Sequence, residues 1–96
     1  VDLMFTIYVT YKGSDRAAVE GFYKEIREIG IDILSRKEDG NVRYEYYWPA
    51  EHENQLFLLE IWETKEAQQI HSQQAHFKKL GELKEKYGVE TSIETA

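Results

Sequence analysis

Gln55-Leu56-Phe57-Leu58-Leu59-Glu60-Ile61-Trp62-Glu63 is the stretch on which the fold turns. Side chains alternate between the two faces of a strand. Leu56, Leu58, Glu60 and Trp62 therefore share one face, and Phe57, Leu59 and Ile61 share the other. A strand with one wet face shows polar residues at every second position. Here only Glu60 interrupts the first face and nothing interrupts the second. The segment Val42-Arg43-Tyr44-Glu45-Tyr46-Tyr47-Trp48 precedes it, with Val42, Tyr44, Tyr46 and Trp48 on one face and Tyr47 on the other. The polar loop Pro49 to Asn54 joins the two into a hairpin.

Working outward, Phe5 to Lys12 is rich in β-branched and aromatic residues and reads as the first strand. Ser14 is the expected N-cap of a helix, with Asp15 favourable near its positive end. Ala18, Val19, Phe22, Ile26 and Ile29 follow at helical spacing, and Gly30 suits the C-terminal cap. Ile31 to Arg36 reads as a short second strand, and Glu38-Asp39-Gly40-Asn41 as a turn. After the hairpin, Thr64 caps a helix with Ala67, Ile70 and His71 on one side. A further helical stretch carries Phe77, Leu80, Leu83 and Tyr87 and closes at Gly88. Val89, Thr91, Ile93 and Thr95 alternate with polar residues in a last strand. The order is β-α-β-β-β-α-β, an α+β, ferredoxin-like antiparallel sheet with helices on one face, in one domain over residues 1–96.

Two helices cover only one face of such a sheet. Leaving the second bare exposes an apolar patch of several hundred Å², which soluble monomers rarely tolerate. A second copy of the sheet is the expected cover, so the chain is expected to be a homodimer.

Composition narrows the chemistry. The 96 residues carry a net charge of −6, which disfavours nucleic acid as a partner. The chain has no cysteine, which removes disulfides, thiolate metal sites and cysteine nucleophiles. The longest uninterrupted apolar run, Leu56 to Leu59, is four residues, far below the roughly 20 that span a bilayer. No membrane partner and a cytoplasmic location are expected. GxGxxG, P-loop and GxSxG motifs are absent. His71 and His76 stand five apart, not the four that bring two imidazoles together on one helical face, and neither opens an HExxH motif. No metal site is therefore expected. His52, between Glu51 and Glu53 in the hairpin loop, reads as solvated.

Leu58-Leu59-Glu60-Ile61-Trp62-Glu63, the helix with Ala67 and His71, and the run Ser72-Gln73-Gln74-Ala75-His76-Phe77 together resemble the antibiotic biosynthesis monooxygenase (ABM) family. Asp39-Gly40-Asn41-Val42-Arg43-Tyr44-Glu45 resembles the family's Gly-x-x-Arg-Tyr strand start. The usual proline before the His-Phe pair is missing, while Ala75 supplies the small residue. The likeness covers about residues 4–95. It implies a dimeric α+β barrel, two sheets packed face to face, with one pocket per subunit between helices and sheet. It also implies oxidation of phenolic or quinol-like aromatics by O2 without flavin, metal or haem. A haem-degrading branch uses an Asn and a His where this chain has Thr6 and Gly81, so no cofactor is expected.

Carried over by the resemblance, Trp62 and His71 are the candidate catalytic residues. Trp62 either stacks on a flat substrate or donates its indole N–H to a developing oxyanion, with core packing as the alternative. His71 takes the phenolic proton, or is a core histidine bonded to a carbonyl. Tyr44 and Tyr46 line either the pocket or the dimer core. Thr6 and Tyr8 share a face of the first strand and are expected to reach the same cavity, with Phe22 and Ile26 as its helix wall. His76 is expected to cap or bond locally, and Arg43 to pair with Glu45 or Glu60. The expected function is a cofactor-independent monooxygenase. A non-oxidative isomerase of a small carbonyl compound and a non-catalytic ligand-binding module are the alternatives on the same fold.

Overall fold

A computed structural model describes residues 4–96 as β1 (Phe5–Lys12), α1 (Arg16–Ile29), α2 (Ile31–Arg36), β2 (Asn41–Tyr47), β3 (Gln55–Trp62), α3 (Lys65–His71), α4 (Ala75–Tyr87) and β4 (Glu90–Thr95). The four strands form one antiparallel sheet in the order β2-β3-β1-β4. This is the ferredoxin-like α+β fold that the strand and helix order implies.

Two local expectations are corrected. Asp15, not Ser14, caps α1: its Oδ1 accepts the Ala18 N–H at 2.9 Å. Both residues are capable caps, and the cap falls one place later. Ile31 to Arg36 is a helix, not a strand. Alternation would bury Ile31, Ile33 and Ser35, whereas Ile31, Asp32 and Ser35 are buried and Ile33 is 50% exposed. Ser35 donates its hydroxyl to the Ile31 carbonyl at 2.8 Å, one helical turn back. In six residues the strand and helix periods coincide at too many positions to be separated. Gly30, at φ +89°, turns the chain between the helices and donates its N–H to Ile26 O at 3.0 Å.

The core lies between helices and sheet. Ile7, Val9 and Tyr11 of β1 and Leu56, Leu58, Glu60 and Trp62 of β3 face it, under Val19, Phe22, Ile26, Ile31, Leu80 and Leu83. A bulge sits at the start of β2: Asn41 pairs with Trp62 and Arg43 with Ile61, so Val42 is an extra residue, 42% exposed. It leaves the Tyr44–Tyr46–Trp48 alternation and restarts the register so that Tyr44 lies opposite Glu60.

The turn before β2 depends on Gly40. Its φ is +84°, and a Cβ there would lie 2.7 Å from the Ala67 Cβ of α3. Its carbonyl accepts the Glu63 N–H at 2.7 Å. Only glycine permits that conformation and that approach. The consequence is that the 38–40 turn lies directly beside α3.

Candidate functional site

Thr64 caps α3 by accepting the Ala67 N–H at 3.1 Å, and α3 ends after two turns with His71 pointing inward. His71 is 1% exposed, while Ile70 beside it is 57% exposed. Ile70 therefore does not share the inward side with His71, contrary to the sequence expectation, because His71 stands one helical turn after Ala67 whereas Ile70 is rotated about 100° from it. The His71 ring lies 4.8 Å from that of Trp62, 5.6 Å from Tyr44, 5.2 Å from Phe77 and 5.8 Å from His76, centroid to centroid.

One carboxylate oxygen organises both imidazoles. Glu38 Oε2, from the turn that Gly40 holds against α3, lies 2.5 Å from His71 Nδ1 and 2.7 Å from His76 Nε2. An ionised carboxylate only accepts hydrogen bonds. Both rings therefore direct an N–H at it, which leaves the lone pair of neutral His71 on Nε2. That Nε2 is buried and has no hydrogen-bond partner among the described residues. Burial pulls the His71 pKa below its ordinary value, against the opposing lift from the Glu38 hydrogen bond and charge. Burial thus favours the neutral imidazole, whose Nε2 is an acceptor.

The expectation that His71 and His76 cannot meet is overturned. The chain breaks helical phase over Ser72–Gln74 between α3 and α4, so the five-residue spacing does not apply along one axis. His76 also makes no cap, since its ring bonds Glu38. Glu38, His71 and His76 offer three ligand atoms within 4.8 Å of one another.

Trp62 is fully buried and donates its indole N–H to Glu60 Oε1 at 3.0 Å. That proton is therefore committed, and Trp62 presents its ring rather than a donor. Burial pushes the Glu60 carboxyl up to about 7, partly offset by the Trp62 N–H, with the Glu38 charge adding to the rise. The Tyr44 and Tyr46 hydroxyls are buried and, among the described residues, without partners. Burial raises both pKa values, so both phenols keep their protons and stay donors.

The remaining candidates divide. Tyr44 and Tyr46 lie on the helix face with Trp62, their rings 5.8 Å apart. Thr6 and Tyr8 do not reach that space: they pair with Ile61 and Leu59 on the opposite face. The physical reason is the period of two, which sends Ile7 and Val9 inward and their neighbours out. Phe22 is in the core but packs on Tyr11, 5.1 Å between rings, near the Leu56 end of the sheet. That end is six β3 residues, about 20 Å, from Trp62. Ile26 is fully buried in the same core. Arg43 pairs with Glu45 at 2.5 Å, as expected, on the open face. Sequence reasoning did not single out Glu38, and it offered Glu60 only as an ion-pair option for Arg43. Glu60 had a visible signal as the one acid on an apolar face, whereas Glu38 lies in an ordinary polar turn, 33 residues before His71.

The profile of the antibiotic biosynthesis monooxygenase family matches residues 4–83. The chain belongs to that family. Solved structures share the ABM fold along nearly the whole chain. A conserved protein of unknown function and possible oxidoreductase from Bacteroides thetaiotaomicron aligns with a TM-score of 0.85 at 19% identity, covering 100% of this chain and 98% of its own. A Deinococcus radiodurans protein provisionally described as an antibiotic biosynthesis monooxygenase gives 0.81 at 16%, covering 98% and 90%. A conserved protein from Methanosarcina mazei gives 0.73 at 26%, covering 96% and 91%. No curated protein matches the sequence. Among the described residues of this ABM protein, no helix is long and apolar enough to cross a membrane.

Proposed function

We propose that the protein is a monooxygenase that uses O2 to oxidise a small quinol- or phenol-like aromatic without flavin, metal or haem, and that it acts as a homodimer. The single observation that carries the reaction is the buried Nε2 of His71, unpartnered among the described residues, with Nδ1 held by Glu38. A base fixed in one tautomer and kept neutral by burial is suited to take a phenolic proton. The phenolate is then the reductant. For a hydroquinone the balance is one ring carbon gaining an oxygen atom, the second oxygen leaving as water, and a hydroxyquinone as product, with both electron pairs drawn from the substrate.

The surroundings support the same chemistry. Tyr44 and Tyr46 supply hydroxyl donors for the developing oxyanion, in a dry site where such donors act strongly. Trp62 supplies a flat wall. Trp62, Tyr44 and His71 are each at most 1% exposed, so the substrate requires an element to yield. α3 is the candidate, being two turns long with His71 as its only buried residue. The second copy is supported by the open face, where Tyr8 stacks on Phe57 at 6.1 Å beside Leu59, Ile61 and Tyr47. Covering that face would remove it from water.

Oxygen uptake with a panel of quinols and phenols tests the activity. Consumption of one O2 per quinol, lost in His71→Gln, is expected. No uptake by folded protein across the panel would sink the reading.

A further inference from the structure

We infer that Glu38, His71 and His76 form a binding site for a borderline divalent cation such as Zn²⁺, and that the bound ion switches off the His71 base. Two imidazole nitrogens and one carboxylate oxygen make a donor set suited to such ions. The atoms concerned are His71 Nδ1, His76 Nε2 and Glu38 Oε2, all within 4.8 Å of one another. Metal–ligand bonds of about 2.0–2.2 Å place ligand atoms about 3–4 Å apart. The carboxylate oxygen, now at 2.5 and 2.7 Å from the two nitrogens, has to withdraw by less than about 1 Å, and the two nitrogens, up to 4.8 Å apart, have to close by about 1 Å. Glu38 stands in a turn, which allows that withdrawal.

The cluster is reached from the surface on the Glu38 side. Glu38 and His76 are each 12% exposed at their side chains. Glu38 also lines a surface cleft of about 330 Å³ with Lys37, Asp39, Ile70 and Gln74. Water from this cleft can complete the shell. Lys37 opposes the cation, and Asp39 favours it.

The switch follows from the imidazole's two nitrogens. Without metal, His71 donates Nδ1–H to Glu38 and keeps its lone pair on Nε2. With metal on Nδ1, the one remaining ring proton sits on Nε2. The atom that accepts the substrate's proton becomes a donor. The ion and the base therefore exclude each other at one ring. The inhibition rests on the oxygenase reading, whereas the binding and the tautomer exchange do not.

Zinc titration of the full chain by calorimetry, with long-range ¹⁵N–¹H spectra of the histidines, tests this. One zinc per chain is expected, with the His71 Nε2 resonance moving from the acceptor to the N–H position. His76→Gln removes one ligand and leaves the Glu38–His71 pair. It should weaken binding by about tenfold or more. In oxygen uptake, the zinc concentration that halves the rate should rise by the same factor. No zinc binding, or binding equal in wild type, His76→Gln and Glu38→Gln, overturns the site. Zinc binding that leaves the Nε2 resonance in place overturns the switch. A protein that binds zinc with the tautomer exchange but oxidises no quinol supports the site and removes only the oxygenase.

Discussion

The two faces of the sheet are built from the same residue classes and do different things. On the helix face, Trp62, Tyr44, Glu60 and His71 are buried, and their polar atoms are either paired or, among the described residues, unpartnered. On the open face, Tyr8, Tyr47, Phe57, Leu59 and Ile61 stack side by side and stay partly exposed. The Tyr47 hydroxyl and Arg43 share Glu45 there at the surface. Aromatic content alone does not mark a site. What separates the faces is polarity under burial, since a buried donor or acceptor without a partner costs free energy that a surface one does not.

The sharpest way to break this contrast is to exchange one residue on each face. His71→Gln should lower oxygen uptake by about 10²–10⁴-fold, the usual contribution of a positioned base. Tyr8→Phe on the open face should leave the rate within about twofold. Equal losses in steady-state assays of the two variants would dissolve the distinction.

The open face is probed next by Leu59→Lys. A charge buried without a partner at a sheet-to-sheet interface costs about 3–5 kcal/mol. Sedimentation should show wild-type dimer and variant monomer. A dimer that survives the substitution places the interface elsewhere.

Glu60 probes the helix face through pH. In the unfolded chain its carboxyl ionises near 4.5, whereas in the fold it holds its proton to about 7. Between those values the folded state binds more protons, so stability falls as pH rises and the loss is complete above about 7. The full span corresponds to about 3 kcal/mol. Glu60→Gln keeps an acceptor for the Trp62 N–H and has no proton to lose. Denaturant titrations should find it level with wild type near pH 4.5 and more stable at pH 8. A pH-independent difference would mean that Glu60 is not the titrating group.

Gly40→Ala should cost about 1–3 kcal/mol, because it combines a positive φ with contact against Ala67. Since the same turn carries Glu38, the His71 Nδ1–H signal should shift as well. Thr64→Ala should cost about 1 kcal/mol through loss of the α3 cap, as a small drop in melting temperature.

The strands and most helix ends were legible because they are local. Gly30 and Gly88 end helices, Thr64 starts one, and period-two alternation separates Tyr8 from Val9. Ile31–Arg36 was not legible, because six residues hold too few repeats to distinguish a strand from a helix. The site was legible in part. Trp62, His71, Tyr44 and Tyr46 share the helix face, while Thr6 and Tyr8 sit behind the sheet and Phe22 lies at its far end.

By itself, the sequence determined the α+β order, the family, the two-sided apolar strands and the absence of thiol chemistry. All of these depend on residue identity and short-range period. Only the tertiary structure decided that Glu38 lies between His71 and His76, and that Nε2 of His71 is left without a partner among the described residues. These join residues up to 38 positions apart. They arise because Gly40 lets a turn approach α3 and because the break after His71 resets the helical phase. No local period encodes either contact.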